Sequence, residues 1–132
     1  MAWDRLDGQR VLGLGTPGEM RDWLNERVLG GHKQATAGLL DADYQAEGEP
    51  LEHVGELLAL VDSQERRIGT VEVTKVEVRP FIAVDWAFAK AEGEDFRSVE
   101  HWREVHLKYF TDSGATVAED TQVVCMHFRL LP

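Results

Sequence analysis

Lys33 and Thr36 stand three residues apart in the stretch Leu29-Gly30-Gly31-His32-Lys33-Gln34-Ala35-Thr36-Ala37-Gly38. An amine and a hydroxyl held together in a concave site can act as base and nucleophile. The neighbours suit that arrangement. Gly30 and Gly31 end the preceding helix, and Ala35, Ala37 and Gly38 leave open space beside both side chains. The spacing is also common by chance, and a solvated Lys beside a turn Thr satisfies it equally. A reaction needs a further group to orient the amine or move a proton. Glu92 and Glu94 sit on a loop just before a helix. They serve either as charge complementing the helix dipole or, if the chain folds them against Lys33, as that further group.

Other chemistries find less support. His32, His53, His101, His106 and His127 contain no i, i+4 pair with an acid between, and Cys125 is the single cysteine. No disulfide can form within the chain, and neither a zinc site nor any other metal or cofactor is expected. Gly13-Leu14-Gly15-Thr16-Pro17-Gly18 matches G-x-G-x-x-G letter for letter. It lacks the surrounding strand–turn–helix–strand unit and terminal acid that a dinucleotide site requires. The acids between 41 and 49 lack calcium-loop spacing, and no G-x-S-x-G elbow is present. Trp86, Trp102 and Tyr109 are rings able to stack on a base, although their helical spacing also suits a core. His106 falls on an apolar stripe and reads first as a core histidine.

Charge narrows the ligand. The chain has 132 residues with 24 acidic and 14 basic side chains, a formal net charge of −10. Tight, sequence-independent binding to a phosphate backbone draws on clustered Lys and Arg, so the balance favours a small neutral or weakly charged ligand. The apolar fraction of 43% suits one compact domain with one core. No run of about 18 apolar residues is available to span a membrane. The first ten residues lack the apolar centre of a signal peptide, so the cytoplasm is the expected compartment.

The elements that must position these residues follow from periodicity. Residues 1–10 read as a loose leader, and residues 11–132 as a single domain. Thr16, Pro17 and Glu19 predict a capping box opening a helix over 17–29. Met20, Trp23, Leu24 and Val28 form its apolar stripe, with Arg21, Asp22, Asn25 and Glu26 mostly outside it. Residues 41–50 are expected to be an exposed acidic loop. A buried strand covers 57–61, and a long strand covers 68–79. In the latter the apolar phase slips at Thr74-Lys75, which predicts a bulge or bend. Residues 81–91 read as a short helix or irregular segment. Ser98 caps a helix over 99–110, and 123–131 forms a last strand with Val124, Met126, Phe128 and Leu130 on one face. Helix, strands, helix, strand is an α+β order. It suits a mixed, mainly antiparallel sheet curled into a barrel with flanking helices.

Taken in order, Gly31-x-Lys33-x-x-Thr36-Ala37, Val54-Gly55-Glu56, Thr70-Val71-Glu72-Val73-Thr74, Ala91-Glu92-Gly93-Glu94, Ser98-Val99-Glu100-x-Trp102-Arg103-x-x-His106 and Val123-Val124-Cys125-x-x-Phe128 resemble the ASCH domain family. The resemblance runs from about Val11 to the C-terminus. It implies a PUA-like β-barrel. It also implies one of two activities: amide hydrolysis of N(4)-acetylcytidine by a Thr, a Lys and a Glu, or RNA binding, in some members with ribonuclease activity. By resemblance Thr36 and Lys33 take the first two catalytic places. The acid place falls at Glu94 or Glu92, and matching Ala91-Glu92-Gly93-Glu94 to the family's Ala-Glu-x-Glu favours Glu94. Gly38, Tyr44, Trp86 and His106 are the candidate substrate-binding residues. Gln34-Ala35 departs from the hydroxyl and aliphatic residues that many relatives carry there. The expected partner is a small nucleoside, with RNA disfavoured by the net charge. In the chemistry this implies, Thr36 attacks the acyl carbon, Lys33 takes its proton, and the Glu positions Lys33 or protonates the leaving nitrogen. Alternatively Thr36 donates to the oxyanion while water attacks.

Overall fold

The computed structural model describes residues 3–132. The chain enters through a hairpin, β1 (Arg5–Leu6) and β2 (Gln9–Leu12). Its two turn residues, Asp7 and Gly8, have φ of 52° and 78°, the left-handed pair that a two-residue hairpin turn demands. After α1 (Glu19–Leu29) and β3 (Ala35–Leu39), a π-helical turn (Leu40–Gln45) leads towards β4 (Leu57–Val61). Next come β5 (Arg67–Pro80), a 3-10 turn (Phe81–Ala83), α2 (Trp86–Ala91), α3 (Val99–Asp112) and β6 (Gln122–Leu130). The six strands form one sheet in the order β1-β2-β4-β5-β6-β3. Among the described residues only the β2–β4 pairing is parallel.

Both faces of this sheet are covered. On one, Leu24 and Val28 of α1 pack with Leu58, Leu60, Val71, Val73, Met126 and Phe128. On the other, Phe88, Trp102 and Phe110 pack with Ala35, Leu39, Val123 and Cys125. β6 serves both cores because successive side chains point to opposite faces: Val123 and Cys125 to one, Met126 and Phe128 to the other. Each fully buried large apolar side chain contributes roughly 1.5–3 kcal/mol.

The bend expected in the long strand is present. Pairing of β5 with β6 shifts register between Val73 and Lys75, so Thr74 is the extra residue of a bulge, which increases local twist. The curl draws the two ends of the sheet together. Val11 and Leu12 of β2 and residues 36–39 of β3 border the same cavity, though they lie near opposite ends of the strand order. Among the described residues no ladder joins these edges. The PUA-like sheet is therefore open along a seam, and the seam is the cavity.

Four expectations are corrected. The leader is ordered from residue 3 onward, because the Asp7-Gly8 turn folds it into the sheet; the first two residues of that expectation lie outside the described residues. The capping box does not form: Gly18, at φ 110°, is the N-cap and no side chain caps the helix, while Thr16 Oγ1 turns to Met20 Sδ at 3.6 Å. The buried face of α1 is Arg21, Leu24, Asn25 and Val28, and Met20 and Trp23 are exposed. Arg21 Nε donates to the Leu14 carbonyl at 3.0 Å and Asn25 Nδ2 to the Val61 carbonyl at 3.0 Å. These bonds allow two polar residues to be buried where periodicity expects apolar ones. The segment 41–50 is not wholly exposed, since Tyr44 and Glu49 are buried.

Candidate functional site

Lys33 reaches the site through three backbone constraints. The Lys33 N–H donates to the Arg27 carbonyl at 2.9 Å, closing the end of α1. The Gln34 N–H donates to the Ala91 carbonyl at 2.8 Å, fastening this segment to the end of α2. Gly93 then passes against it. A Cβ on Gly93 would lie 1.9 Å from the His32 carbonyl oxygen, and its φ is 64°. Only glycine combines that contact with that conformation. The Glu-Gly-Glu sequence is thus the shape that lets two carboxylates flank one lysine.

The ammonium is enclosed. Lys33 is 2% exposed, and its Nζ donates to the Ala35 carbonyl at 2.7 Å, Glu92 Oε2 at 3.2 Å and Glu94 Oε2 at 2.7 Å. The two acids differ. Glu92 is 1% exposed. Its Oε1 accepts from Trp102 Nε1 at 2.5 Å and lies 3.2 Å from His106 Nε2. Burial alone would raise this carboxyl, but Lys33, His106 and the Trp102 N–H overcome it and hold it well below the ordinary carboxyl value. Glu94 also loses water, and with Lys33 shared and Glu92 repelling it, its carboxyl is held above the ordinary value. Glu92 is therefore the fixed anion and Glu94 the acid suited to exchange a proton. The two acids flanking Lys33 therefore differ in surroundings and in charge.

His106 is more than a core filler. Its ring stacks on Trp102 with centroids 4.1 Å apart. Its Nδ1 lies 3.0 Å from the Trp102 carbonyl, and its Nε2 faces Glu92. Both neighbours can only accept, so both nitrogens carry hydrogen. Burial works against the charge, yet Glu92 and Glu94 raise the imidazolium above its ordinary value.

Thr36 projects from edge strand β3 into the seam. Its immediate neighbours Ala35 and Ala37 pack with the core on the other side, as a two-residue period requires. Thr36, Lys33, Glu92, Glu94 and His106 all border one cavity of about 580 Å³, a volume suited to a small organic ligand. Gly38 and Tyr44 border it as well. A Cβ on Gly38 would stand 3.2 Å from the Tyr44 ring, so glycine there lets the ring close on the strand. Trp86 is not brought in. It opens α2 on the outer surface, where it lines a shallow depression with Arg27, His32 and Lys90. The Lys90 ammonium lies 5.9 Å from its ring.

Sequence reasoning missed three cavity residues. Trp3 enters because the hairpin carries it across Tyr44, with ring centroids 4.9 Å apart; the Asp-Gly turn was the available signal. Asp43 lies in the acidic segment that reads as solvated and Glu52 just beyond it, and both border the cavity. Among the described residues no group of His, Cys, Asp and Glu is placed to hold a metal ion, and no helix is long and apolar enough to cross a membrane.

An open, mainly antiparallel PUA-like sheet with a polar cluster in its seam defines the class. The ASCH domain model matches residues 11–132, and the chain belongs to the ASCH domain family. That family is associated with RNA binding or hydrolase activity. Among solved structures, the chain is similar to a protein of Enterococcus faecalis from the family DUF984, with 29% identity and a TM-score of 0.82 over 97% of this chain and 78% of that one. It is also similar to an ASCH domain from Lactobacillus crispatus, with 28% identity and a TM-score of 0.72 over 83% of this chain and 71% of that one. An ASCH protein of Zymomonas mobilis, at 11% identity and a TM-score of 0.55 over 82% of this chain and 63% of that one, shares the fold. A search of curated proteins gives no match.

Proposed function

We propose that the protein is an amidohydrolase that removes the acyl group from N(4)-acetylcytidine or a related N(4)-acylated cytosine nucleoside. The convergence of Lys33, Thr36 and Glu94 on one nucleoside-sized cavity carries this reading. Lys33 and Glu94 sit 2.7 Å apart, close enough for the pair to exchange between ammonium–carboxylate and amine–carboxylic acid. In the second form Lys33 accepts the Thr36 proton as Thr36 Oγ1 bonds to the acyl carbon. Glu94 gives its proton to the leaving N(4) as the C–N bond breaks. The free cytidine departs and leaves an acyl ester on Thr36. Water then attacks the ester, Glu94 takes the water proton and Lys33 returns one to Thr36 Oγ1. Acetic acid is released and the pair is restored to its starting form. Glu92 and His106 hold Lys33 in place throughout.

The RNA-binding reading has less behind it. The net charge is −10, and many of the arginines face carboxylates: Arg5 and Arg10 face Glu49, Arg27 faces Asp95, Arg79 faces Glu77 and Arg129 faces Glu72. A panel of N(4)-acylated cytosines and cytidines, with product followed by chromatography, tests the proposal. Thr36→Ala is expected to lower acetate release by at least about a thousandfold with unchanged circular dichroism. Retained turnover in that variant removes Thr36 from the nucleophile role.

A further inference from the structure

The cavity has a second polar pole that the reaction above does not use. Glu52 is 5% exposed and borders the cavity. Its only hydrogen-bond partner among side chains of the described residues is the Tyr44 hydroxyl, 3.0 Å from each carboxylate oxygen. Arg10, whose charge acts on it, is committed to Glu56 at 2.8 Å and to Glu49 at 3.3 Å. A buried acid facing a neutral phenol instead of a cation is costly to keep, and such acids concentrate at functional sites.

The backbone around it is specialised as well. Tyr44 is delivered by the π-helical turn (Leu40–Gln45), a rare conformation that recurs at functional sites. The Asp43 carboxylate accepts the Leu39 N–H at 2.7 Å and fixes that turn to β3. Gly38 lies two residues beyond Thr36 on the same strand, roughly 7 Å away, and the Tyr44 ring rests on it. The Tyr44 ring, with Glu52 on its hydroxyl, therefore meets β3 beyond Thr36 by about the span from an N(4)-acyl carbon to the sugar carbon of a cytidine. A ligand whose acyl carbon meets Thr36 extends its other end to this pole. One phenolic hydrogen cannot satisfy two carboxylate oxygens, so lone pairs remain to accept hydrogen bonds from a ligand. Asp4 and Asp43 border the same cavity and make it hostile to a further anion.

We propose that the Tyr44–Glu52 pair is the sugar subsite: Glu52 accepts hydrogen bonds from a vicinal diol, Tyr44 orients it, and the surrounding acids reject a phosphate. This assignment rests on the hydrolase reading for the ligand's orientation, and it selects a free nucleoside over a free base, a nucleotide or a polynucleotide.

Two measurements test it on the full chain. Hydrolysis is compared for N(4)-acetylcytidine, N(4)-acetylcytosine and N(4)-acetylcytidine 5′-monophosphate. Product binding is measured by calorimetry with cytidine, cytosine and cytidine 5′-monophosphate. The nucleoside is expected to exceed both alternatives. In Glu52→Gln the nucleoside's kcat/KM falls about tenfold more than the free base's, chiefly through KM, and discrimination against the phosphate narrows. Tyr44→Phe, which keeps the ring on Gly38, moves the same ratios in the same direction by a smaller factor. Equal losses for base and nucleoside, or unchanged ratios in both variants, overturn the subsite. If no acylated substrate is turned over, the hydrolase reading fails. The calorimetric ratios then decide alone: a preference for cytidine that Glu52→Gln abolishes supports the subsite, and equal or undetectable binding of cytidine and cytosine overturns it.

Discussion

The two ends of the seam use the same residue types to opposite effect. At the Lys33 end, one ammonium is shared by two acids. Glu92 also takes the Trp102 N–H and His106 and stays ionised, and Glu94 is pushed up by burial and by Glu92. At the Tyr44 end, two guanidinium groups serve Glu49, Glu56 and Glu52 unequally. A hydrogen bond from Arg5, aided by the Trp3 N–H and Arg10, holds Glu49 down to about 2. Glu56 loses water but is lowered by Arg10, while Glu52 is raised by burial. The first end thus contains one anchored anion and the second two, and each has one acid left with a raised value. Depth does not sort them, since Glu92 and Glu52 are both buried. The number and geometry of donors do.

The strongest way to break this comparison is to remove the backbone approach that builds the first end. Gly93→Ala is expected to cost at least about 4 kcal/mol, through a clash with the His32 carbonyl and a left-handed φ. Chemical denaturation reads the loss, and turnover falls with it. A mutant of near-native stability would show that the Glu-Gly-Glu corner is not clamped as described.

Lys33→Ala should cost about 3–5 kcal/mol at neutral pH, because it leaves Glu92 buried without its main cation. The sign with pH follows from Glu92. Its folded value is lowered, so its stabilisation is present above the ordinary 4.5 and is lost as pH falls through the folded value. The stability gap between the variant and the unmodified chain should therefore narrow in acid. A gap that stays constant from pH 7 to pH 3 would mean that Glu92 is held by other groups.

A smaller effect is expected from His106→Gln, about 2 kcal/mol for the lost charge-assisted bond to Glu92. His106 has a raised folded value, so its contribution is complete below the ordinary 6.5 and disappears as pH rises through the raised one. Thermal melts of the variant and the unmodified chain should differ most below pH 6.5 and converge in base. The reverse trend would place a neutral imidazole in the site. The smallest effect is reserved for Trp86→Ala. Trp86 lies outside the seam, so turnover should be unchanged and stability altered by less than about 1 kcal/mol. A large rise in KM would extend the substrate beyond the cavity described.

How far the sequence reached differs between the two ends. At the first, Lys33-x-x-Thr36 and Glu92-Gly93-Glu94 are compact local patterns, and each carries its own geometry: a strand start in one, a left-handed glycine in the other. The bulge at Thr74 was legible because a slip in alternation is itself the signature of an extra residue. At the second end the signals misled. The run from Asp41 to Glu49 has the composition of a solvated loop, yet the π-helical turn buries Tyr44 and the hairpin brings Arg5 and Arg10 onto Glu49. Trp86 sits near the Glu pair in sequence but faces outward, because α2 spends its inner face on Phe88 and Ala89.

By itself the sequence determined the α+β order of elements, both strands of the central hairpin, and the three residue types, Lys, Thr and Glu, that meet at the Lys33 end. Those depend on interactions within a few residues or on strict alternation. The tertiary structure decided which of Glu92 and Glu94 is the anchor, which acids face the seam, and that Trp3 reaches it. These depend on donors from distant segments, 61 residues away between Lys33 and Glu94 and 46 between Trp3 and Glu49. A carboxylate's charge is set by the groups that surround it in space, and the identity of those groups is fixed only when the sheet curls.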